Sequence, residues 1–488
     1  VVSLTVGIVI PRLFIVNLGS EVNGLISSVG QVFSYVGLLE TGIGATVTQA
    51  LYKPIVENNH MQINRILSAS DRYYKKIGYI YIGCVCIVAI IYPIIVTSNI
   101  PMWQITCVVI FSGLGNAINF LLQQNYVVML SAEGRGYITT NLNLAVNILV
   151  SFTKAILLLN GFNIVVVMSA QFVLTLLRIL FMRIYMQREY RWITTKEEPD
   201  FSALSQRKYV MVQQLSYFVY SNTDVMILTL FSSLEMVSVY TIYNLIIGTM
   251  ESVVWAFTSS FVFALGQLYN QDRGEFKRIY SIYDSGYMTI VFSLFTVVYL
   301  CILPFLSVYT RGVRDINYID ERLAFLFVAL KMVTTLRSQS QNSVNFAGGF
   351  KETQRSAVIE MVSNIVISIV GIQFIGIYGV LIGSIISTFY RGISVTNYVN
   401  KNILHYSKKE AIRKYVRWGI YCAVFIIISS IVKTIIPTTV DNYVQWIMIA
   451  LPITVGSIII YGVLWFIIDK KTVSDAWKFC VSKIKKEG

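Results

Sequence analysis

Residues 71–101 read DRYYKKIGYIYIGCVCIVAIIYPIIVTSNIP. Between Lys76 and Ser98 there is not one charged side chain. A helix crossing a bilayer's hydrocarbon core needs about 20 mainly apolar residues, so 77–97 reads as a membrane span. One flank carries Asp71, Arg72, Lys75 and Lys76; the other is the short turn SNIP (98–101). The same pattern repeats along the whole chain. Of 488 residues, 55% are hydrophobic and 13% charged, where a soluble domain has about 25% charged. A soluble core stops growing at roughly 250–300 residues and then splits at polar linkers, and no such linkers occur. This excludes a soluble globular protein, a disordered chain and a secreted disulfide scaffold. An all-α polytopic membrane protein remains.

Fourteen candidate helices follow: 1–17, 24–51, 77–97, 102–130, 138–159, 163–186, 208–231, 236–267, 286–309, 323–348, 356–376, 378–400, 415–437 and 443–468. Several are longer than a span requires and are expected to tilt or to run on beyond the bilayer. The chain opens at Val1 within an apolar stretch, with no charged leader, so it does not read as a cleaved signal peptide. Net charge is +14, from 39 Lys and Arg against 25 Asp and Glu. In a soluble protein this excess would suggest nucleic acid. Here the basic residues gather in the even-numbered connections, among them Arg65, Arg188, Arg191, Lys196, Lys277, Lys351, Lys408, Lys409, Lys414 and Arg417, and in the tail from Lys470 to Lys486. The odd connections hold only Arg311, Arg314 and Arg322, offset by Asp315, Asp320 and Glu321. The positive-inside rule then places both termini in the cytoplasm. No nucleic-acid partner is expected.

Two six-helix blocks share a weak internal repeat. Arg65, Asp71, Tyr74 and Arg178 recur at one constant offset as Arg278, Asp284, Tyr287 and Arg391. Gln124 and Asn147 recur at a slightly longer offset as Gln341 and Asn364. Six is even, so both blocks run the same way through the bilayer, a parallel repeat about the membrane normal. The expected division is a lobe at 1–190, a cytoplasmic linker at 191–207, a second lobe at 208–402, and two further helices with a basic tail at 403–488.

An ionisable group inside a span costs a few kcal/mol on insertion scales, so each calls for a reason. The embedded cations are Arg12, Lys154, Arg178, Lys331, Arg337, Arg391 and Lys433; the acids are Glu40, Asp224, Glu251 and Glu360. The cationic excess suits an anionic substrate. Arg178, Arg391, Lys433 and Glu360 lie near helix ends and read as snorkelling to the interface. Lys331 and Arg337 lie about 8 and 14 residues into their span, ~12 and ~21 Å along a helix. There Lys331, Thr334 or Thr335, Ser338, Gln341 and Asn345 recur at helical spacing, a polar stripe that reads as the lining of a hydrated cavity. Arg12 and Asp224 fall at matching depths on pseudo-equivalent helices, and form a candidate ion-pair gate at the outer end of a cleft between the blocks.

The six cysteines read as small apolar residues. Two distant histidines, His60 and His405, make a His-based metal or triad site unexpected. No catalytic residue, metal or cofactor is expected, and no G-x-x-x-x-G-K-[ST] phosphate loop occurs.

PRLFIVNLGSEVNGL (11–25), ETGIGATVTQALYKPIVENN (40–59) and FIGIYGVLIGSIIS (374–387) resemble the polysaccharide flippases of the multidrug/oligosaccharidyl-lipid/polysaccharide exporter superfamily. The likeness runs over nearly the whole chain. It implies a multi-pass protein of the bacterial cytoplasmic membrane that moves undecaprenyl-pyrophosphate-linked oligosaccharide from the cytoplasmic to the outer leaflet, for cell-surface polysaccharide synthesis. It further implies alternating access through a cationic central cavity, to which Arg12, Lys154, Lys331 and Arg337 are the candidate contributors. Gln341 and Asn345 would add polar lining, and Glu40, Asp224 and Glu251 are candidates for gating or ion coupling. Membrane lipids surround such a protein, and a polysaccharide polymerase and glycosyltransferases are its candidate protein partners. A drug/cation antiporter of the same superfamily is the first alternative; a membrane glycan polymerase or transferase is the second, disfavoured by the short outer loops.

Overall fold

The computed structural model describes residues 2–40, 43–195, 197–200, 208–470 and 472–475. Thr41 and Gly42 of the ETGIGAT motif, Lys196, the linker residues 201–207, Lys471 and the tail from 476, with Cys480, lie outside them. The described chain is helical: α1 (Val2–Asn17), α2 (Ser20–Gly37), α3 (Ile43–Val56), α4 (His60–Ile95), α5 (Met102–Leu122), α6 (Gln124–Ala132), α7 (Gly136–Leu159), α8 (Ile164–Glu189), α9 (Lys208–Phe231), α10 (Leu234–Gln271), α11 (Arg273–Tyr309), α12 (Glu321–Ala347), α13 (Phe350–Ile375), α14 (Ile377–Tyr398), α15 (Lys408–Lys433) and α16 (Tyr443–Ile468).

Among the described residues, ten of these are long and apolar enough to cross a bilayer, and Gly7–Asn17 is a shorter apolar helix. The protein is an all-α, multi-pass membrane protein. The long segments resolve in two ways. α4 and α11 continue well past their apolar stretches, to 36 and 37 residues, or about 55 Å at 1.5 Å per residue. The segments 24–51 and 102–130 instead break. A 3₁₀ turn at Leu38–Glu40 separates α2 from α3, and the buried Gln123, at φ −116, separates α5 from α6.

Packing divides the chain into two compact units, Val1–Thr241 and Ile242–Gly488. In the first, Phe14, Leu25, Val29, Phe33, Val85 and Val108 form one apolar core. Val47, Leu51, Ile66, Tyr74, Met129 and Met182 form a second. α9 and the start of α10 join this unit through the polar side of α2. The Asn23 amide donates to Ser238 Oγ (2.8 Å), Ser28 and Thr229 share a hydrogen bond (2.7 Å), and Tyr35 and Thr223 another (3.0 Å). The backbones come close: a Cβ on Gly24 would stand 1.7 Å from the Leu234 carbonyl oxygen. Small and hydroxylic residues are how spans pack in lipid, where no hydrophobic drive pulls helices together.

The start of the expected linker is fastened to α4. Asn64 holds both its edges, donating to the Trp192 carbonyl (3.2 Å) and accepting from Thr194 N (3.1 Å). His60 stacks on Trp192 at 3.9 Å, and the Gln62 amide donates to Asp200 (3.0 Å).

In the second unit α11 is the buried axis, with Phe292, Phe295 and Phe327 at its core. α15 and α16 lie outside it and expose Ile426, Ile427, Ile431, Ile458 and Ile459, a surface suited to lipid. α13 and α14 form a tight hairpin. Gly376 turns it at φ +60, and a Cβ on Gly379 would stand 2.2 Å from the Gly371 backbone. Of the cysteines, five are described as free thiols; Cys301 is buried, while Cys86 is exposed on α4.

Candidate functional site

Arg12 and Lys154 come from neighbouring helices of the first unit. Pro11 precedes Arg12 in α1, and Arg12 is partly buried. Lys154 of α7 is also partly buried, and its ammonium lies 5.7 Å from the centroid of the ring of Phe14, which follows Arg12 closely on α1. Among the described residues no carboxylate pairs with Lys154. A cation over an aromatic face is attracted to the ring's negative quadrupole without being neutralised.

Two embedded acids of this unit accept hydrogen bonds from neutral donors. Glu40, in the turn between α2 and α3, accepts from the Gln124 amide (3.2 Å). Asp224 is buried on α9 and accepts from the Tyr240 hydroxyl (2.9 Å). Arg12 and Asp224 both lie within the first unit.

In the second unit the structure brings together residues that the sequence left apart. Lys331 Nζ stands 3.1 Å from Glu251 Oε2, and the Thr335 hydroxyl donates to the other carboxylate oxygen (3.4 Å). A candidate cavity cation and a candidate coupling acid are therefore one ion pair. Along α12, Lys331, Thr334, Ser338 and Gln341 keep partial solvent access and Asn345 is exposed, whereas Ser340, Ser343 and Val344 are buried. The polar stripe thus has an accessible face.

Arg337 lies off that face. It is 7% exposed and pairs with Glu360 of α13, whose second oxygen lies 3.8 Å from Arg391 Nε of α14. Arg391, 2% exposed, also donates to Gln341 (3.2 Å), Ser356 and the Thr353 carbonyl. Two guanidinium groups share one carboxylate.

Two structural comparisons place this helical arrangement. A lipid II flippase, MurJ, in an inward closed conformation matches with a TM-score of 0.65 over 95% of this chain and 97% of its own, at 12% identity. An inward-facing multidrug resistance MATE family transporter of the MOP superfamily matches with a TM-score of 0.56 over 82% of this chain and 94% of its own, at 14% identity. The chain shares the fold of these two proteins. No protein-family model matches the sequence, and no curated protein matches it.

Within this fold, three embedded charges do not snorkel. Arg391 and Glu360 belong to the buried cluster above. Arg178 turns inward and donates to Asn143 (3.0 Å) and Asn119 (3.2 Å). Lys433, the last residue of α15, by contrast pairs with the exposed Glu321 at the start of α12, as a side chain reaching a helix end can. Proximity to a helix end does not fix where a long side chain points; the polar residues on neighbouring helices decide it. The sequence reading also placed Lys414 and Arg417 among loop charges that set topology. The structure buries Lys414 (4% exposed) against Asp284 (5%) at 2.7 Å, and Arg417 bridges Asp284 and Asp469. The signal was Lys414 and Arg417 at i and i+3 on one helix face, with Asp284 one turn ahead of an apolar run.

Proposed function

We propose that this chain carries an undecaprenyl-pyrophosphate-linked oligosaccharide across the bacterial cytoplasmic membrane, from the cytoplasmic to the outer leaflet, by alternating access and without catalysing a covalent step. Both termini lie in the cytoplasm in this reading. The observation that carries it is Lys154, an ammonium embedded in a span without a carboxylate partner among the described residues. Arg12 lies on the adjacent helix α1. Within the second unit, Lys331, Ser338, Gln341 and Asn345 form an accessible polar stripe of their own.

The chemistry follows from the cargo. A sugar diphosphate entering hydrocarbon would lose its hydrogen bonds, at several kcal/mol for each group left unpaired. A hydrated passage lined by Lys and Arg replaces those bonds, with Arg able to grip phosphate through two parallel N–H groups. The polyprenyl chain stays in lipid throughout. Outward movement of each negative charge gains ~2.3 kcal/mol per 100 mV when the inside is negative. The likeness to a lipid II flippase supports a lipid-linked substrate. A polysaccharide polymerase and glycosyltransferases would then supply and consume the cargo.

A second reading, a drug/cation antiporter, is favoured by one observation: Glu40 is a partly buried carboxylate held by a neutral amide, available to a cation or proton. Leaflet accessibility in cells depleted of the protein separates the two. Lipid-linked glycan accumulating on the cytoplasmic side supports export; normal sidedness with increased sensitivity to cationic drugs supports the antiporter.

A further inference from the structure

At one end of the second unit, α11, α15 and the residues after α16 enclose a cavity of about 480 Å³. Five cations line it: Lys277, Arg278, Arg413, Lys414 and Arg417. Four carboxylates do so too, and their commitments decide what the cavity can hold. Asp284 is occupied by Lys414 and Arg417; Asp469 is occupied by Arg417, by Arg413 at 3.4 Å, and by the Ser285 hydroxyl at 2.9 Å. Glu410 is spent on the first turn of α15, where its carboxylate accepts from the Ser407 backbone N–H (2.7 Å) and hydroxyl (2.8 Å). Asp475 lies within electrostatic reach of Arg278.

Among the cations, Arg278 is held by Glu275 through two hydrogen bonds (3.0 and 2.7 Å) and Lys414 by Asp284, while the others are less fully committed. Lys277 rests 5.0 Å from the Tyr406 ring centroid. Arg413 is mostly exposed and holds Asp469 only loosely. Arg417 has a buried Nε–H with no acceptor, and a buried donor left unpaired is costly enough to call for a partner. The hydroxyl of Ser281 and that of Thr472 complete the lining. Lys408, Lys409 and Lys470, all exposed, stand beside these elements and raise the local positive potential.

The surroundings say where the ligand comes from. Ile412 (62% exposed) and Val416 are neighbours in sequence of the cavity cations Arg413 and Arg417, and Phe466 and Ile467 of α16 are likewise exposed just before Asp469. Lipid-facing apolar surface gives way to charge here, which is the depth of a phospholipid headgroup. A soluble anion would use the charged half of this arrangement and leave the apolar half bare.

We propose that this cavity binds the phosphodiester headgroup of an anionic phospholipid of the surrounding bilayer, held by Lys277, Arg413 and Arg417, with its acyl chains on the apolar residues beside them. The site is separate from the cargo-binding residues and does not depend on the export reading. Basic pockets at a membrane surface draw anionic lipid at a gain of ~1 kcal/mol for each Lys or Arg, about fivefold in affinity.

The test uses the full-length protein in bilayer nanodiscs with spin-labelled phosphatidylglycerol and phosphatidylcholine as probes. Phosphatidylglycerol associates preferentially, and Lys277→Gln with Arg413→Gln lowers that preference by about fivefold for each charge removed. Lys277→Glu, which leaves the buried Asp284–Lys414–Arg417–Asp469 network untouched, lowers it further than Lys277→Gln. Equal association of the two lipids, or a preference unchanged in both variants, overturns the proposal. So does competition by inorganic phosphate at modest concentration, which would make the cavity a soluble-anion site.

Discussion

Glu360 is the acid on which two buried guanidinium groups depend. Exchanging a whole buried ion cluster for apolar residues is often neutral, but removing one partner strands charge in a low dielectric and costs about 3–5 kcal/mol. Glu360→Ala is therefore expected to destabilise the detergent-solubilised protein by that amount, read as a fall in melting temperature. The triple exchange Arg337→Met, Glu360→Leu, Arg391→Met restores most of it. Lys154 behaves in the opposite way. Its contact with Phe14 is worth ~0.5–1 kcal/mol, so Lys154→Met leaves the melting temperature nearly unchanged. A charged hydrogen bond to phosphate is worth ~1.5–3 kcal/mol, so the same variant loses about tenfold or more in transport rate. The candidate charges were legible one by one from their place in apolar runs. Their partners were not: Lys331 and Glu251 are 80 residues apart, and Arg337 and Arg391 meet through Glu360 on a third helix.

Helix contacts in this chain are set by its smallest residues. The α13–α14 hairpin depends on Gly371, Gly379 and Gly383, and a Cβ on Gly383 would stand 2.5 Å from Ser368 Oγ and 2.9 Å from its backbone nitrogen. Asn364 donates to Ser384 (2.8 Å) across the same seam. Gly379→Leu should therefore force the two helices apart, giving little folded protein in fluorescence-detected size exclusion, whereas Gly419→Leu, with open space around its α15 backbone, is tolerated. Between α1 and α2, Gly19 holds φ +91, a conformation that costs other residues of order 1–3 kcal/mol, and Gly19→Val should lower the melting temperature accordingly. Apolar periodicity gave the helices but hid the breaks at 38–40 and at Gln123. Hydropathy averages over a window, and a one-turn interruption flanked by apolar residues leaves the average high.

Across the whole molecule, the multi-pass helical architecture was readable from composition and span length, because a bilayer leaves only helices and closed barrels as solutions. The ten strongest spans are those with few charges; the more polar α2 and α12 fall outside that set since their polar faces pack against other helices or line accessible space. A lipid II flippase and a multidrug transporter share this fold, so the fold does not choose between their kinds of cargo, and that choice rests on charge. The most direct measurement is translocation in proteoliposomes with an imposed inside-negative potential. A fluorescent polyprenyl-pyrophosphate-linked glycan is followed by an impermeant quencher. The account predicts protein-dependent movement of the glycan lipid that Lys154→Met slows by about tenfold or more. A wild-type protein that leaves the glycan lipid in place while exchanging a cationic dye for protons would contradict it.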